Sequence, residues 1–271
     1  MTPEIQIAAK AIENADFLLF GAGAGMGVDS GLPDFRGNDG FWRAYPPFGK
    51  LGLSFSDLAN PHWFESDPRL AWGFYGHRLN LYRATIPHAG FAVLKRWANA
   101  KSAWIYTSNV DGHFQKTGFD KVCEVHGSIL HAQCTRPCRD VIWSLEDVQI
   151  EVDATSFRAE GELPHCPHCG ALARPNILMF SDAQWVLARS LQQEKALMSW
   201  LGSLNLARLT IVEMGAGSAI SSVRHFSEHF QKRGATLVRI NTRESDGPEG
   251  TISIAMGARE ALEGLDAALS R

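Results

Sequence analysis

Short apolar runs punctuate the chain, and most end in glycine or a small polar residue. Phe17–Phe20, Ala103–Tyr106, Val122–Val125, Leu209–Met214, Thr236–Ile240 and Thr251–Ile254 are four to six residues each, the length of a buried strand. Between them apolar positions recur every three to four residues. Ile5, Ala8, Ala9 and Ile12 predict a helix to about Ala15, with Thr2 as its N-cap and Pro3 in its first position. Thr85 to about Ala98, Leu187–Leu206, a segment reaching about Arg233 and the residues after Ile254 also read as helices. Strands alternating with helices predict an α/β fold: a Rossmann-like parallel sheet with helices on both faces.

Two regions break this rhythm. Residues 38–80 are crowded with aromatics and interrupted by Pro46, Pro47 and Pro61, which predicts short helices packed as a cap. Residues 131–174 read as a small inserted module in which Val141–Arg158 alternates and supplies strands. The Rossmann-like domain is then expected from residues 1–37, 81–130 and 175–271, and Ala173–Phe180 reads as a strand rejoining its sheet.

Candidate chemistry clusters at the ends of the predicted strands. After Phe17–Phe20 come six glycines in the 17 residues Gly21–Gly37. Such a loop lets backbone approach a ligand closely and suits a phosphate. Asp34, Phe35 and Arg36 then place an anion, a ring and a cation where a lid would close over that ligand. A second loop, Gly215-Ala216-Gly217-Ser218, opens a βαβ unit whose second strand closes on Asn241, the position where a ribose hydroxyl is usually read. Thr107–His113 follows another strand and reads either as a polar turn or as part of a ligand site.

Cys134-x3-Cys138 and Cys166-x2-Cys169, separated by 27 residues, form a pair-gap-pair pattern that fits tetrahedral zinc in a ribbon, with four protein ligands and a structural role. His165 or His168 is an alternative fourth ligand. Tyr75 and Arg78 are three apart and share a helix face, a phenol and a guanidinium suited to a carboxylate; packing within the cap is the competing reading.

The bulk properties narrow the partners. With 271 residues, 45% of them hydrophobic and 20% charged, the chain buries a substantial core. A net charge of -3 removes any general attraction to nucleic acid or anionic membrane. No apolar run approaches the roughly 20 residues of a membrane span, and Met1-Thr2-Pro3-Glu4 lacks a secretion-signal pattern. A cytoplasmic monomer is expected, in which five cysteines point to metal or free thiol rather than disulfide.

Gly23-Ala24-Gly25-Met26-Gly27-Val28-Asp29-Ser30-Gly31-Leu32-Pro33-Asp34-Phe35-Arg36-Gly37 resembles the signature loop of the sirtuins, the NAD-dependent protein-lysine deacylases, and four further blocks resemble that family in order. The resemblance implies NAD contacts from Gly23, Ala24, Gly25, Met26, Gly27 and Val28, and from Asp34, Phe35 and Arg36. Thr107-Ser108-Asn109-Val110-Asp111-Gly112 is similar to the block lining the nicotinamide and its ribose, which implies roles for Ser108, Asn109, Val110 and Asp111. Val125-His126-Gly127 resembles the catalytic His-Gly, implying His126 as general base on a ribose hydroxyl. At the adenosine end the resemblance implies Gly215, Ala216, Gly217, Asn241 and Ala258.

Ala173–Phe180 resembles the stretch that pairs with the substrate peptide, which brings in Phe180. Tyr75-x-x-Arg78 resembles the pair with which one subgroup recognises succinyl- or malonyl-lysine. The implied reaction removes acetyl or acidic acyl groups from protein lysine and yields nicotinamide and O-acyl-ADP-ribose. Departures are Gly27 for a commoner Ser, Ser108 for Gln, Val110 for Ile, Ser181-Asp182 for Gly-Glu, and Ala216 and Gly217 in the second loop. Alternatives on the same fold are an ADP-ribosyltransferase or NAD hydrolase, and a zinc-bearing NAD sensor without catalysis. A Rossmann oxidoreductase predicts an acidic residue about 20 positions past the first glycine loop, and residues 41–50 contain none.

Overall fold

The computed structural model describes residues 2–33 and 37–270, without the side chains of residues 37–39. Asp34, Phe35 and Arg36 therefore lie outside the described residues. The described strands are β1 (Phe17–Ala22), β2 (Ser102–Thr107), β3 (Val122–Glu124), β4 (Gly127–Cys134), β5 (Ile142–Ser144), β6 (Ala173–Ile177), β7 (Leu209–Met214), β8 (Thr236–Ile240) and β9 (Ile252–Ile254). Six form one sheet in the order β3-β2-β1-β7-β8-β9, and every pairing in it is parallel. Strand order reverses between β1 and β7. In an open parallel sheet the crevice for a ligand lies beyond the carboxyl ends of the strands at such a point.

The period of two along the strands explains why both faces are covered. Leu18, Phe20, Val212, Met214, Val238 and Ile240 point into one core, closed by the helices Pro3–Asn14, Ala89–Ala100 and Ala258–Leu269. The intervening residues Leu19, Ile211 and Leu237 point into a second core under the helices Ala188–Gly202 and Ser222–Gln231. Each such side chain, fully buried, contributes roughly 1.5–3 kcal/mol.

Helix ends follow the local chemistry. Thr2 caps the first helix through its hydroxyl, which accepts from the Ile5 N–H at 3.5 Å. The helix expected from Thr85 starts at Ala89 instead, because Thr85 closes the preceding helix Pro68–Ala84 and His88 supplies the next N-cap. Pro87 holds the connection extended. The helix expected to reach Leu206 stops at Gly202, and Asn205 caps a separate short turn at Leu206–Arg208.

Ala173–Phe180 does not rejoin the parallel sheet. Its first five residues form β6, antiparallel to β4 at the edge of a separate sheet ordered β5-β4-β6. The edge position tolerates Pro175, which cannot donate to a ladder. The chain leaves the main sheet abruptly at Gly127, whose φ is +79°. A Cβ there would stand 2.0 Å from the Asn176 carbonyl oxygen, so only glycine makes this turn. Of Val141–Arg158, Ile142–Ser144 forms a strand and Val152 a single bridge to Ala159.

The aromatic segment folds as expected into short helices, Gly37–Ala44, Pro46–Lys50, Phe55–Leu58 and Trp63–Ser66, beside the longer Pro68–Ala84. Phe74 packs edge to face against Phe41, Tyr45 and Phe48, an arrangement aromatic rings favour. Among the described residues, no helix is long and apolar enough to cross a membrane.

Candidate active site

The two glycine loops interlock where strand order reverses. The Gly23 N–H donates to the Met214 carbonyl and the Gly25 N–H to the Gly215 carbonyl, each at 3.0 Å. A Cβ on Gly23 would lie 2.6 Å from the Ala216 Cα, and one on Gly215 would lie 2.4 Å from the Gly25 carbonyl carbon. These glycines are required for the backbones to touch, whatever else the loops bind. Met26 and Gly27 are buried in the short helix that follows, while Ala24 and Val28 face solvent.

The β2 end supplies the next groups. The Asn109 amide nitrogen donates to the Gly23 carbonyl at 2.9 Å, tying this loop to the first glycine loop. The Thr107 hydroxyl donates to the Ala22 carbonyl and accepts from the Asn109 N–H at 3.0 Å. Asp111 accepts from the His113 N–H at 2.8 Å. Ser108 bonds the Ala22 carbonyl through its N–H, and Val110 is buried. Thr107 heads the block read from sequence without a role of its own there, although a hydroxyl two residues before Asn109 is the signal for such a turn.

His126 stands one residue beyond Val125, at the carboxyl end of β3. Its Nε2 lies 3.1 Å from the Ser222 hydroxyl, at the start of the helix Ser222–Gln231. Burial lowers its pKa below the ordinary imidazole value, which favours the neutral ring. Glu124, two residues earlier, anchors β3 through Arg189 at 2.5 Å, and the Ser190 hydroxyl donates to its carbonyl. His131 differs: burial and Arg189 push its pKa down to about 4. His113 is 1% exposed, and both its ring nitrogens lack a hydrogen-bond partner among the described residues.

At the other end of the crevice Asn241 is 3% exposed. Its Nδ2 donates to the Ala216 carbonyl at 2.9 Å, and its Oδ1 accepts from the N–H groups of Arg243 and Glu244. The side chain joins two loops from within. Gly217 is half-buried, and Ser218 beside it bonds the Glu244 carboxylate. Ala258 opens the last helix; Asp29, from the first glycine loop, accepts the Arg259 N–H there at 2.8 Å. Glu244 and Ser222 were not singled out from sequence, because Glu244 lies 26 residues from Ser218 and Ser222 lies 96 from His126.

Tyr75 and Arg78 do share the helix Pro68–Ala84, and both are buried. Arg78 Nε donates to the Tyr82 hydroxyl at 3.0 Å. The guanidinium lies 5.2–5.8 Å from the ring centres of Phe55, Phe74, Tyr75 and Tyr82, within cation–π range. The Tyr75 hydroxyl is buried with no hydrogen-bond partner among the described residues, and burial raises its pKa. Phe180 is 43% exposed, packs against Phe55 and donates its N–H to the Ala59 carbonyl. Leu178, also exposed, donates its N–H to the His126 carbonyl at 2.9 Å.

The four cysteines converge, with all sulfurs within 4.8 Å of one another. Cys134–Cys169 and Cys138–Cys166 are each 3.7 Å apart. Tetrahedral zinc with bonds of about 2.3 Å places its sulfurs about 3.8 Å apart, so the set fits that ion. Burial resists ionisation of Cys166, but the N–H groups of His168 and Cys169 face its sulfur and bring its pKa down to about 7. The cluster uses cysteine alone, without His165 or His168.

A glycine-bridged parallel sheet, a histidine at the end of β3 and four converging cysteines define a Rossmann-like protein with a cysteine cluster that fits structural zinc. The chain belongs to the Sir2 family, whose profile matches residues 23–199. It is 30% identical over 266 residues to an NAD-dependent protein deacylase of Aeropyrum pernix, covering 96% of each chain. It is 26% identical to an NAD-dependent protein deacetylase of Saccharolobus solfataricus, covering 88% of this chain and 85% of that one. A solved Sir2 homologue in complex with NAD superposes with a TM-score of 0.69 at 25% identity, covering 97% of this chain and 92% of that one.

Proposed function

We propose that this chain is an NAD-dependent deacylase acting on acylated lysines of proteins. The observation that carries the reading is the imidazole of His126. It lies within hydrogen-bond distance of a hydroxyl, burial favours its neutral form, and it stands at the carboxyl edge of the sheet one backbone hydrogen bond from the exposed segment at Leu178. The interlocked glycine loops offer a tight backbone floor for a pyrophosphate, and Asn109 and Asp111 flank it on the β2 side. When bound, NAD supplies the ribosyl centre that takes the acyl group from lysine. His126 accepts a proton from a ribose hydroxyl, Asn109 and Asp111 line the nicotinamide end, and Leu178–Phe180 receives the substrate backbone. Zinc at Cys134, Cys138, Cys166 and Cys169 would hold the loops around β4 and β6 in place.

The acyl group is assigned at Arg78. A guanidinium takes a carboxylate through the N–H fork in its plane; Arg78 lies among four rings with its Nε on a phenol, and the neighbouring Tyr75 carries a buried hydroxyl with hydrogen-bonding capacity to give. We read this as a pocket for succinyl- or malonyl-lysine in preference to acetyl-lysine. The test is turnover of NAD with matched acetyl- and succinyl-lysine peptides, read by mass spectrometry. The expected products are free lysine, nicotinamide and O-acyl-ADP-ribose, with the succinyl peptide faster by at least about tenfold. ADP-ribosylated protein without deacylation overturns the reaction. Equal rates on both peptides overturn the pocket.

A further inference from the structure

Strand β6 runs on into Leu178-Met179-Phe180. Side chains alternate there: Leu178 and Phe180 are exposed, and Met179 between them is buried, the period of an extended chain. All three N–H groups of this rim are bonded inside the protein. Leu178 donates to the His126 carbonyl and Phe180 to the Ala59 carbonyl, while Met179 donates to Asp182 Oδ2 at 3.3 Å. The backbone groups left to a polypeptide alongside are carbonyls, and their placement depends on what holds the N–H groups.

Asp182 is the centre of that hold. Ser181 turns the chain back with a φ of +56°, a left-handed conformation rare outside glycine. The Asp182 carboxylate then meets Arg174 of β6, the two side chains being 0% and 1% exposed. Arg174 Nη1 donates to Oδ2 at 2.7 Å and Nη2 to Oδ1 at 2.8 Å, a two-pronged pairing that fixes orientation as well as charge. Oδ1 also accepts the Gln184 N–H at 3.1 Å. One carboxylate thus fastens both ends of the turn 179–184 to β6. The strand is tied in turn to the helix carrying Tyr75 and Arg78, because Trp72 Nε1 donates to the Ala173 carbonyl at 2.9 Å. Desolvation offsets much of the attraction in a buried ion pair, so its net contribution to stability is small. What this pair supplies is a fixed position for the rim.

We propose that Asp182 is a positioning residue for the substrate peptide. Through Arg174 and the Met179 N–H it sets where Leu178–Phe180 stands relative to His126 and to the helix bearing Arg78. This rests on the reading that an acylated polypeptide lies along that rim. Being buried, Asp182 acts through the rim and not on the peptide itself.

Two variants test this. Asp182→Asn keeps the size and removes the charge. Arg174→Met with Asp182→Ala removes both charges, so that neither is left buried alone. In each, the KM for an acyl-lysine peptide should rise at least about tenfold while kcat falls less. Binding of a fluorescent acyl-lysine peptide, read by anisotropy, should weaken with it. Acetyl and succinyl peptides should shift by the same factor, which separates this effect from any choice made at Arg78. The affinity for ADP-ribose, read by calorimetry, should stay within about twofold. Unchanged peptide KM and anisotropy in the folded variants overturn this proposal alone. Loss of ADP-ribose affinity in parallel with peptide binding, or failure of both variants to fold, assigns the pair to general stability and also overturns it. Wild-type protein that neither binds nor turns over an acylated peptide overturns the deacylase reading and this proposal together.

Discussion

His126 owes its proposed chemistry to where it is buried. Desolvation penalises the imidazolium and lowers the pKa, so the acid limb of kcat/KM should titrate below the ordinary imidazole value of about 6.5. The sign for stability follows. The unfolded chain binds a proton at His126 more readily than the folded one, so stability declines as pH falls through and below that value. His126→Ala should abolish deacylation, by a factor of at least about 100, while leaving the thermal midpoint within a few degrees. A pH–rate profile and a melting curve check both statements; retained turnover in the alanine variant would remove His126 as the base. Arg78→Met belongs to the same scale. It keeps an apolar stem among the four rings, and it should cut kcat/KM for a succinyl peptide at least about tenfold while sparing an acetyl peptide.

Two small elements govern how the chain turns between its sheets. At Gly127 the backbone passes from the parallel sheet into β4 in a left-handed conformation, with no room for a methyl group. Gly127→Ala should destabilise the fold by about 3 kcal/mol or more, and chemical denaturation will measure it; a loss within error would show that the Asn176 backbone gives way. At the cysteine cluster, Cys166→Ser removes a thiolate from a buried corner of the tetrahedron. Wild type should hold about one zinc per chain, and the variant should hold little and melt lower. Elemental analysis decides this, and wild-type protein free of zinc would end the assignment.

For the whole molecule, the parts legible in the sequence are those whose signal is local. Strands Phe17–Ala22 and Leu209–Met214 announce themselves as apolar runs before glycines, and two close cysteine pairs announce a tetrahedral site. The sheet to which Ala173–Ile177 belongs is a different matter. A five-residue strand reads the same in either sheet, and its placement depends on the turn at Gly127, far back in the chain. The partners of polar side chains were hidden for the same reason. Ser222 meets His126, and Glu244 meets Ser218, only once loops from different strands are brought to one edge. The Tyr82 hydroxyl was within reach of sequence reasoning, because it lies one helical turn past Arg78.

The bond between the Leu178 N–H and the His126 carbonyl has a mechanical consequence. It hangs the exposed rim at Leu178 and Phe180 from the same peptide that carries the imidazole. A polypeptide lying along that rim is thereby gauged from the histidine itself, whatever the rest of the inserted module does. On the proposed reading, lengthening the rim by one residue would shift an incoming chain past the ring by one step while leaving the imidazole in place.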